Sequence, residues 1–219
     1  MFNSLSGFST SFNYRKLAVA PVTLRQTVLS HVREQADRAI AGKPARIFAK
    51  LNALVDPGII RELYRASRVG VEIELIVRGV CCLRPGLPGI SENIRVYSLL
   101  GRYLEHERVF LFGPEGEEEF FLSSADWMPR NLDRRVEVLF PVTSEALRTR
   151  IRNECVLPLE VDNQRVYEMQ ADGGYRRRVP AESEAPIDAQ LRTWGIVQKL
   201  TSNITSALPP PVELVRSAE

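Results

Sequence analysis

Residues 71–79 read VEIELIVRG, and this stretch decides the predicted fold. Apolar residues alternate with glutamates at first and become continuous from Leu75 to Val77. This is the pattern of a strand that begins at a solvent-exposed edge and continues into a sheet buried on both faces. Arg78 and Gly79 follow directly. Ligands of parallel sheets bind beyond the carboxyl ends of the strands, so Arg78 stands where a ligand is expected.

Strands and helices alternate along the first half of the chain. Thr23 with Gln26 predicts a capping box, and Asp56 before Pro57 predicts a capped helix start. The resulting elements are strands at 16–21, 45–50, 71–77 and 94–99, and helices at 23–42 and 56–70. This alternation favours right-handed crossovers and a largely parallel sheet.

A hairpin is predicted next. Residues 108–112 and 119–122 are apolar and flank the Gly/Pro segment 113–117. His106 precedes the first strand and Ser123-Ser124 follows the second, so antiparallel pairing would bring them to one end of the sheet. A strand at 134–142 and a helix from Ser144 to about Cys155 complete the predicted elements.

Composition indicates one soluble globular domain. The chain has 219 residues, of which 44% are hydrophobic. Its net charge of +2 is too small to produce an electrostatic field that would favour binding of nucleic acid. Three cysteines, including Cys81-Cys82, suit a reducing compartment, and no apolar run has the length of a membrane span. The predicted division is a linker left from a preceding domain (1–15), the domain (16–160) and a partly ordered polar tail (161–219).

An anion site is predicted in the Arg-rich, Gly-rich middle of the chain. Histidine can serve as nucleophile or proton donor near neutral pH, and the guanidinium fork pairs with phosphate oxygens. The candidates are His106 as the catalytic residue, and Arg78, Arg95, Arg108, Ser123 and Ser124 with His106 as phosphate-binding residues. No metal ligands are predicted.

Each candidate has a plainer interpretation. Arg78 could pair with Glu72, Glu74 or Glu92, and several of the arginines must serve as surface or ion-pairing residues. Cys81-Cys82 and Trp127-Met128 are expected to be buried. His31, beside the apolar stripe of the first helix, is predicted to be a solvated helix histidine.

Five motifs in fixed order resemble the C-terminal catalytic region of polyphosphate kinase, the bacterial phosphohistidine family. They are Val77-Arg78-Gly79, Cys82-Leu83-Arg84-Pro85-Gly86, Ser91-Glu92-Asn93-Ile94-Arg95, Leu104-Glu105-His106 and residues 123–131, SSADWMPRN. The resemblance runs from about Phe2 to Tyr175. It implies an α/β fold of phospholipase D type, with a mostly parallel mixed sheet flanked by helices.

The same resemblance implies roles for particular residues. Arg78 and His106 match two ATP-binding positions, and His106 matches the second active-site histidine, proposed to assist the departure of ADP. His106-Glu107-Arg108 with Ser123-Ser124 also resembles the His-x-Lys and Gly-Ser arrangement of phospholipase D. Arginine here replaces the lysine, which counts against phosphodiesterase activity.

The resemblance implies reversible transfer of the terminal phosphate of ATP to polyphosphate. The phosphohistidine has no match in this sequence and is expected on an upstream catalytic domain, so this chain alone is expected to be incomplete and inactive. The implied partners are polyphosphate, ATP/ADP and that domain, and Mg²⁺ is expected to be held largely by the missing domain. The resemblance leaves open whether the chain forms a homo-oligomer.

The expected location is cytoplasmic, with any membrane association residing in other domains. Two alternatives are carried beside the kinase. One is a phospholipase D-like phosphodiesterase in which a dimer supplies two copies of His106, and the other is a non-catalytic polyanion-binding fragment.

Overall fold

A computed structural model describes residues 14–207, with side chains to residue 199. Most of the predicted linker over 1–15 and the last twelve residues of the predicted tail therefore lie outside the described residues.

The described residues form one nine-stranded sheet. Its strands, in chain order, are β1 (Ala18–Ala20), β2 (Arg46–Leu51), β3 (Glu72–Val77), β4 (Ile94–Leu99), β5 (Val109–Phe112), β6 (Glu119–Ser123), β7 (Glu137–Val142), β8 (Val166–Met169) and β9 (Tyr175–Arg177). Their spatial order is β1-β7-β6-β5-β2-β3-β4-β8-β9. The predicted mixed α/β sheet is confirmed, with β2 and β3 at its centre.

The sheet is not mostly parallel. Only β2–β3 and β3–β4 pair in parallel among the described strands, and the other neighbours are antiparallel. The prediction extended the strand and helix alternation of the first half to the whole chain. A parallel crossover needs a dozen or more residues, usually a helix, whereas residues 100–108 contain no helix and lead into β5 antiparallel to β2.

Helices cover both faces of the sheet. They are α1 (Leu24–Ile40), α2 (Pro57–Arg68), α3 (Pro129–Asp133), α4 (Glu145–Ile151), a π-helical turn (Arg152–Val156), α5 (Leu157–Val161) and α6 (Ala189–Ala207). Alternate residues of β2 divide between two layers. Ile47 and Ala49 pack in the core beneath α1 and α2, while Phe48 packs with Val156 and Leu159 on the opposite face.

The helix ends follow local chemistry, with one correction. Asp56 accepts a hydrogen bond from the Ile59 N–H at 2.9 Å, which confirms the predicted cap. Gly70, with φ +97°, ends the turn after α2. The capping box of Thr23 and Gln26 is wrong, because the Thr23 hydroxyl instead accepts the Val19 N–H at 2.9 Å across the turn that enters α1.

Predicted boundaries shift in the second half. β7 begins at Glu137 rather than at residue 134, since residues 134–136 form the turn that follows α3. The helix predicted from Ser144 to Cys155 continues through the π-helical turn to Val161, and the Ser144 side chain makes no capping hydrogen bond.

Residues beyond 160 belong to the sheet and its cover. β8 pairs with β4, and β9 pairs with β8. The buried carboxylate of Asp162 accepts the N–H groups of Arg165 at 2.6 Å and of Val166 at 3.2 Å, and the N–H of Ala189, at the start of α6, at 2.6 Å. The segment predicted as a tail thus contributes two strands and a helix anchored to the domain.

This anchoring predicts that Asp162→Ala destabilises the chain by roughly 2–4 kcal/mol, because several backbone N–H groups lose their acceptor. Urea unfolding of the chain measures it. Asp172→Ala is the control, since the exposed Asp172 carboxylate accepts, among the described residues, a hydrogen bond from the Gly174 N–H alone, at 2.8 Å, and its loss should cost well under 1 kcal/mol. Equal losses in the two variants would contradict the anchoring role.

Candidate functional site

Arg78 lies directly beyond the carboxyl end of β3, as predicted. The following glycine is required for packing: a Cβ on Gly79 would lie 2.8 Å from the carbonyl oxygen of Asn52, which accepts the Gly79 N–H at 3.0 Å. Gly79 therefore lets the chain approach the end of β2. The hydrogen bond between Gly79 and Asn52 places Arg78 beside Asn52.

The guanidinium of Arg78 joins Asn52 to His106. Its Nε donates to Asn52 Oδ1, and its Nη2 lies 3.3 Å from His106 Nδ1. A guanidinium only donates, so Nδ1 is the acceptor and the ring proton of a neutral His106 resides on Nε2. The exposed His106 ring thus presents an N–H on the side away from Arg78.

Arg108 and Asp126 hold the backbone of His106. Arg108 Nε and Nη2 donate to the two carboxylate oxygens of Asp126 at 3.2 and 3.0 Å, while its Nη1 donates to the His106 carbonyl at 3.0 Å. Asp126 Oδ1 also accepts the Asn52 backbone N–H at 2.7 Å. These residues, Asn52, Arg78, His106, Arg108 and Asp126, are called the Asp126 network below.

The Asp126 carboxylate is held in its charged form. Burial alone would raise its pKa, but hydrogen bonds from Arg108 and Asn52 outweigh burial and lower the pKa below its usual value. Sequence reasoning gave no role to Asp126 or Asn52. The available signal was the acidic residue in SSADW, two residues after the candidate Ser124.

Lys50 forms a second charged cluster with the two residues that flank His106 in the sequence. Its buried ammonium contacts the carboxylates of both Glu105 and Glu107, and these residues are called the ion triad below. Burial disfavours the Lys50 charge, yet the two glutamates outweigh it and raise the Lys50 pKa, while Lys50 lowers that of Glu107 against its own burial. The missed signal was a lysine within the apolar strand RIFAKL.

A cavity of about 300 Å³ opens beside the two clusters. Its lining combines apolar residues with Arg78, Asn52 and the ion triad. The Gln190 side chain bridges this rim to α6, because it bonds both the N–H and the carbonyl of Tyr103, at 2.8 and 2.7 Å. A Cβ on Gly101 would overlap the Gln190 amide.

The predicted serines lie near Arg108 but face β7. The predicted antiparallel hairpin is confirmed, because Val109 pairs with Leu122 and the Ser123 N–H donates to the Arg108 carbonyl at 3.1 Å. The Ser123 hydroxyl donates to the Val138 carbonyl at 2.9 Å, and the Ser124 hydroxyl accepts the Val138 N–H at 3.0 Å. A phosphate-binding role for these hydroxyls stays a prediction.

Arg95 does not join this site. It is exposed near the start of β4, opposite Glu74, so it lies about 13 Å along the strands from Arg78, given four residues of strand rise. The prediction placed the two arginines in one site because they are close in the sequence. The parallel register separates them, because it places one near the beginning and the other beyond the end of neighbouring strands.

Two further predictions are corrected. Cys82 was predicted to be buried but is exposed. Its neighbour Cys81 is half-buried, and this burial raises the pKa of its thiol to about 11. His31 is not a freely solvated residue, because its ring stacks on Phe112 at 5.0 Å between centroids and lies 4.7 Å from Phe121. The predicted burial of Trp127 is correct.

The carboxylates in contact with the site do not suit a resident Mg²⁺ ion. Mg²⁺ requires oxygen ligands in near-octahedral geometry. Glu105 and Glu107 are bound to Lys50, and both oxygens of Asp126 are bound to Arg108. Magnesium at this site would therefore have to arrive on the phosphates of a nucleotide.

Across residues 14–207, none of the helices has the length and apolar character that crossing a bilayer demands.

Comparisons with known proteins agree with one another. The polyphosphate kinase of Thermosynechococcus vestitus is 49% identical over 185 residues, which cover 84% of this chain and 25% of that protein. The polyphosphate kinase of Pseudomonas aeruginosa is 45% identical over 207 residues, 94% of this chain and 29% of that protein. The chain thus spans between a quarter and a third of the length of these relatives.

A solved structure and a family model extend the similarity to the fold. The crystal structure of polyphosphate kinase from Porphyromonas gingivalis superposes with a TM-score of 0.86 at 35% identity, covering 92% of this chain and 31% of that one. Residues 17–190 match the family model described as polyphosphate kinase C-terminal domain 2. This match covers most of the chain, including the Asp126 network and the ion triad, and the chain therefore belongs to the polyphosphate kinase C-terminal domain 2 family.

Proposed function

We propose that this chain forms one half of a polyphosphate kinase site, which transfers the terminal phosphate of ATP reversibly to polyphosphate. The observation that carries the proposal is the pairing of Arg78 with His106 at 3.3 Å beside the cavity, where a phosphate-binding cation and a proton donor act on one ligand. Family membership supplies the reaction class. Such an enzyme would work in the cytoplasm, where ATP is available.

Arg78 binds nucleotide phosphate in this proposal. Its contacts in the described structure engage Nε and Nη2, so three of the five guanidinium N–H donors are available to phosphate oxygens. Asn52 fixes the plane of the fork before the ligand arrives. A preorganised cation of this kind stabilises charge that develops on phosphoryl oxygens during transfer.

His106 acts at the leaving oxygen. A histidine of the upstream domain attacks the terminal phosphorus of ATP, the bond from that phosphorus to the bridging oxygen breaks, and ADP departs with the bonding pair. The Nε2–H of His106 donates a hydrogen bond to that oxygen, and the proton itself is transferred only from the imidazolium form, in which Nδ1 no longer accepts from Arg78; either lowers the barrier to departure. The resulting phosphohistidine then passes its phosphate to polyphosphate.

The exposure of His106 supports a shared site. Its side chain lies at the surface of this chain, and a reactive phosphohistidine needs shelter from water, so the upstream domain would cover it. Magnesium would enter with ATP on its phosphates. No step assigned to this chain passes through a protein-bound metal ion.

The alternative activities are less well supported by the geometry. In a phosphodiesterase of the phospholipase D type, Arg108 would occupy the position of the lysine, but its guanidinium is committed to Asp126 and to the His106 carbonyl. A non-catalytic polyanion-binding fragment would use Arg78 without needing His106. Substitution of His106 separates this alternative from the kinase.

We expect the chain alone to form no measurable polyphosphate from ATP, because the histidine that carries the phosphate is supplied by another domain. Its other histidine, His31, is packed against two phenylalanine rings. The measurement is ATP-dependent polyphosphate formation by the purified chain. Steady synthesis above a His106→Ala control would falsify this expectation.

In a chimera, this chain replaces the matching region of the Pseudomonas aeruginosa polyphosphate kinase. His106→Ala should slow single-turnover transfer in it by roughly two to four orders of magnitude, the usual effect of losing a positioned proton donor. His106→Gln should recover only part, because glutamine donates a hydrogen bond but no proton.

His31→Ala is the matched control and should leave the rate per folded molecule unchanged, since it removes this chain's other histidine, which packs against Phe112 and Phe121. Melting temperatures are measured on the same preparations. A near-normal rate in His106→Ala, or no polyphosphate synthesis by the unsubstituted chimera, contradicts the proposed function.

Arg78→Lys should raise the KM for ATP in the chimera by roughly tenfold or more, because lysine keeps the charge but loses the planar fork that reaches Asn52, His106 and phosphate together. Arg65→Lys is the control, at an arginine whose side chain is 73% exposed on α2. An unchanged ATP dependence in Arg78→Lys would leave Arg78 as a structural residue only.

A further inference from the structure

We propose that Lys50 is a positioning residue for His106 and acts through the glutamates on either side of it. The inference rests on the proposed function, because it concerns the residue assigned to the leaving oxygen. Neither the shared motifs nor the Arg78 pairing assigns a role to Lys50.

The first argument is the order of contacts along the chain. Glu105 and Glu107 both turn to the Lys50 ammonium, while His106, between them, faces Arg78. The segment has no regular secondary structure, so no helix or sheet hydrogen bonds fix its path. The ion triad therefore fixes both neighbours of His106 to β2.

The second argument is the burial of Lys50. Its side chain is 8% exposed and rises from the centre of the sheet, between β3 and β5. A buried charge that loses its partners carries a large desolvation penalty. Both glutamates are thus held strongly, and a one-residue shift of the segment would remove both carboxylates from the ammonium.

The third argument concerns the charge beside the phosphate site. Glu105 and Glu107 line the same cavity as Arg78. Without Lys50, two unneutralised carboxylates would flank His106 and repel an incoming polyphosphate or nucleotide. Lys50 thus positions His106 and also weakens this repulsion, an effect that is expected in KM rather than in kcat when Lys50 is lost.

The chain offers a matched control on the same strand. Arg46, at the start of β2, also bridges two glutamates, with Nη2 at 3.3 Å from Glu74 and 2.9 Å from Glu160. It lies at the opposite end of the strand from the Asp126 network. Arg46→Met therefore removes a bridging cation from β2 without touching the surroundings of His106.

The decisive experiment is a double-mutant cycle in the chimera. Lys50→Met is measured with and without His106→Gln, and Arg46→Met is treated in the same way. If Lys50 acts through His106, Lys50→Met should lower kcat per folded molecule about tenfold alone and less than about twofold beside His106→Gln. Arg46→Met should have the same effect in both backgrounds.

A second readout does not require activity. The chain has two histidines, so imidazole NMR resonances of the isolated chain report on His106 with His31 as an internal reference. Lys50→Met should shift or broaden the His106 signals and leave those of His31 in place. Arg46→Met should move neither.

A further variant covers the case in which Lys50→Met does not fold. Lys50→Met with Glu105→Gln and Glu107→Gln removes the charges together, and replacing a buried ion pair with neutral groups is often tolerated. Its His106 signals should still shift, because the anchoring has been lost with the charges.

The outcomes separate the inference from the proposed function. Additive effects of Lys50→Met and His106→Gln, with unchanged His106 signals, overturn the positioning role and leave the kinase proposal intact. A chimera that is inactive, or indifferent to His106→Gln, counts against the kinase proposal, and the NMR comparison then decides the role of Lys50 alone.

Discussion

The carboxylate of Asp126 holds together segments that lie far apart in the sequence. It accepts hydrogen bonds from the end of β2 at Asn52 and from Arg108 at the start of β5. A buried carboxylate is tolerated only when donors surround it, so these segments are brought to one point. Arg78 depends on Asn52, and His106 depends on Arg108. The arrangement of the candidate site follows from this one constraint.

The central strand β2 links the site to the body of the domain. Alternation along the strand sends Ala49 into one core and Lys50 into the opposite layer, and Asn52 follows beyond the strand end. Two charged clusters thereby both contact the short irregular segment 105–108. The exposed His106 is held by its neighbours and its carbonyl group, which leaves the outer edge of its ring accessible to a ligand.

Several elements could be predicted because their signals are local. Asp56 before Pro57, the alternation in VEIELIV and the Gly/Pro segment 113–117 each indicate one structure, and each prediction was correct in kind. The direction of β5 was not predictable in this way, because strand pairing depends on partners distant in sequence. The same limit hid the segment after residue 160, whose order comes from pairing of β8 with β4 and from Asp162.

The site was predicted in part for the same reason. Arg78 and His106 were found from residue chemistry and position, and the structure brings them together. Arg95 was included because it is near in sequence, although the parallel register carries it away. Asn52, Lys50 and Asp126 were missed because a buried polar residue reveals its role only through its partners. A lysine in an apolar strand was the clearest neglected signal.

The contact between Gly101 and Gln190 has an evolutionary consequence. The glutamine amide fills the space that any side chain at position 101 would need, and it also fastens the cavity rim to α6. Neither position can change freely while the other is retained. Among related sequences, a larger residue at the first position should appear together with a shorter one at the second, so that the two positions covary across almost ninety intervening residues.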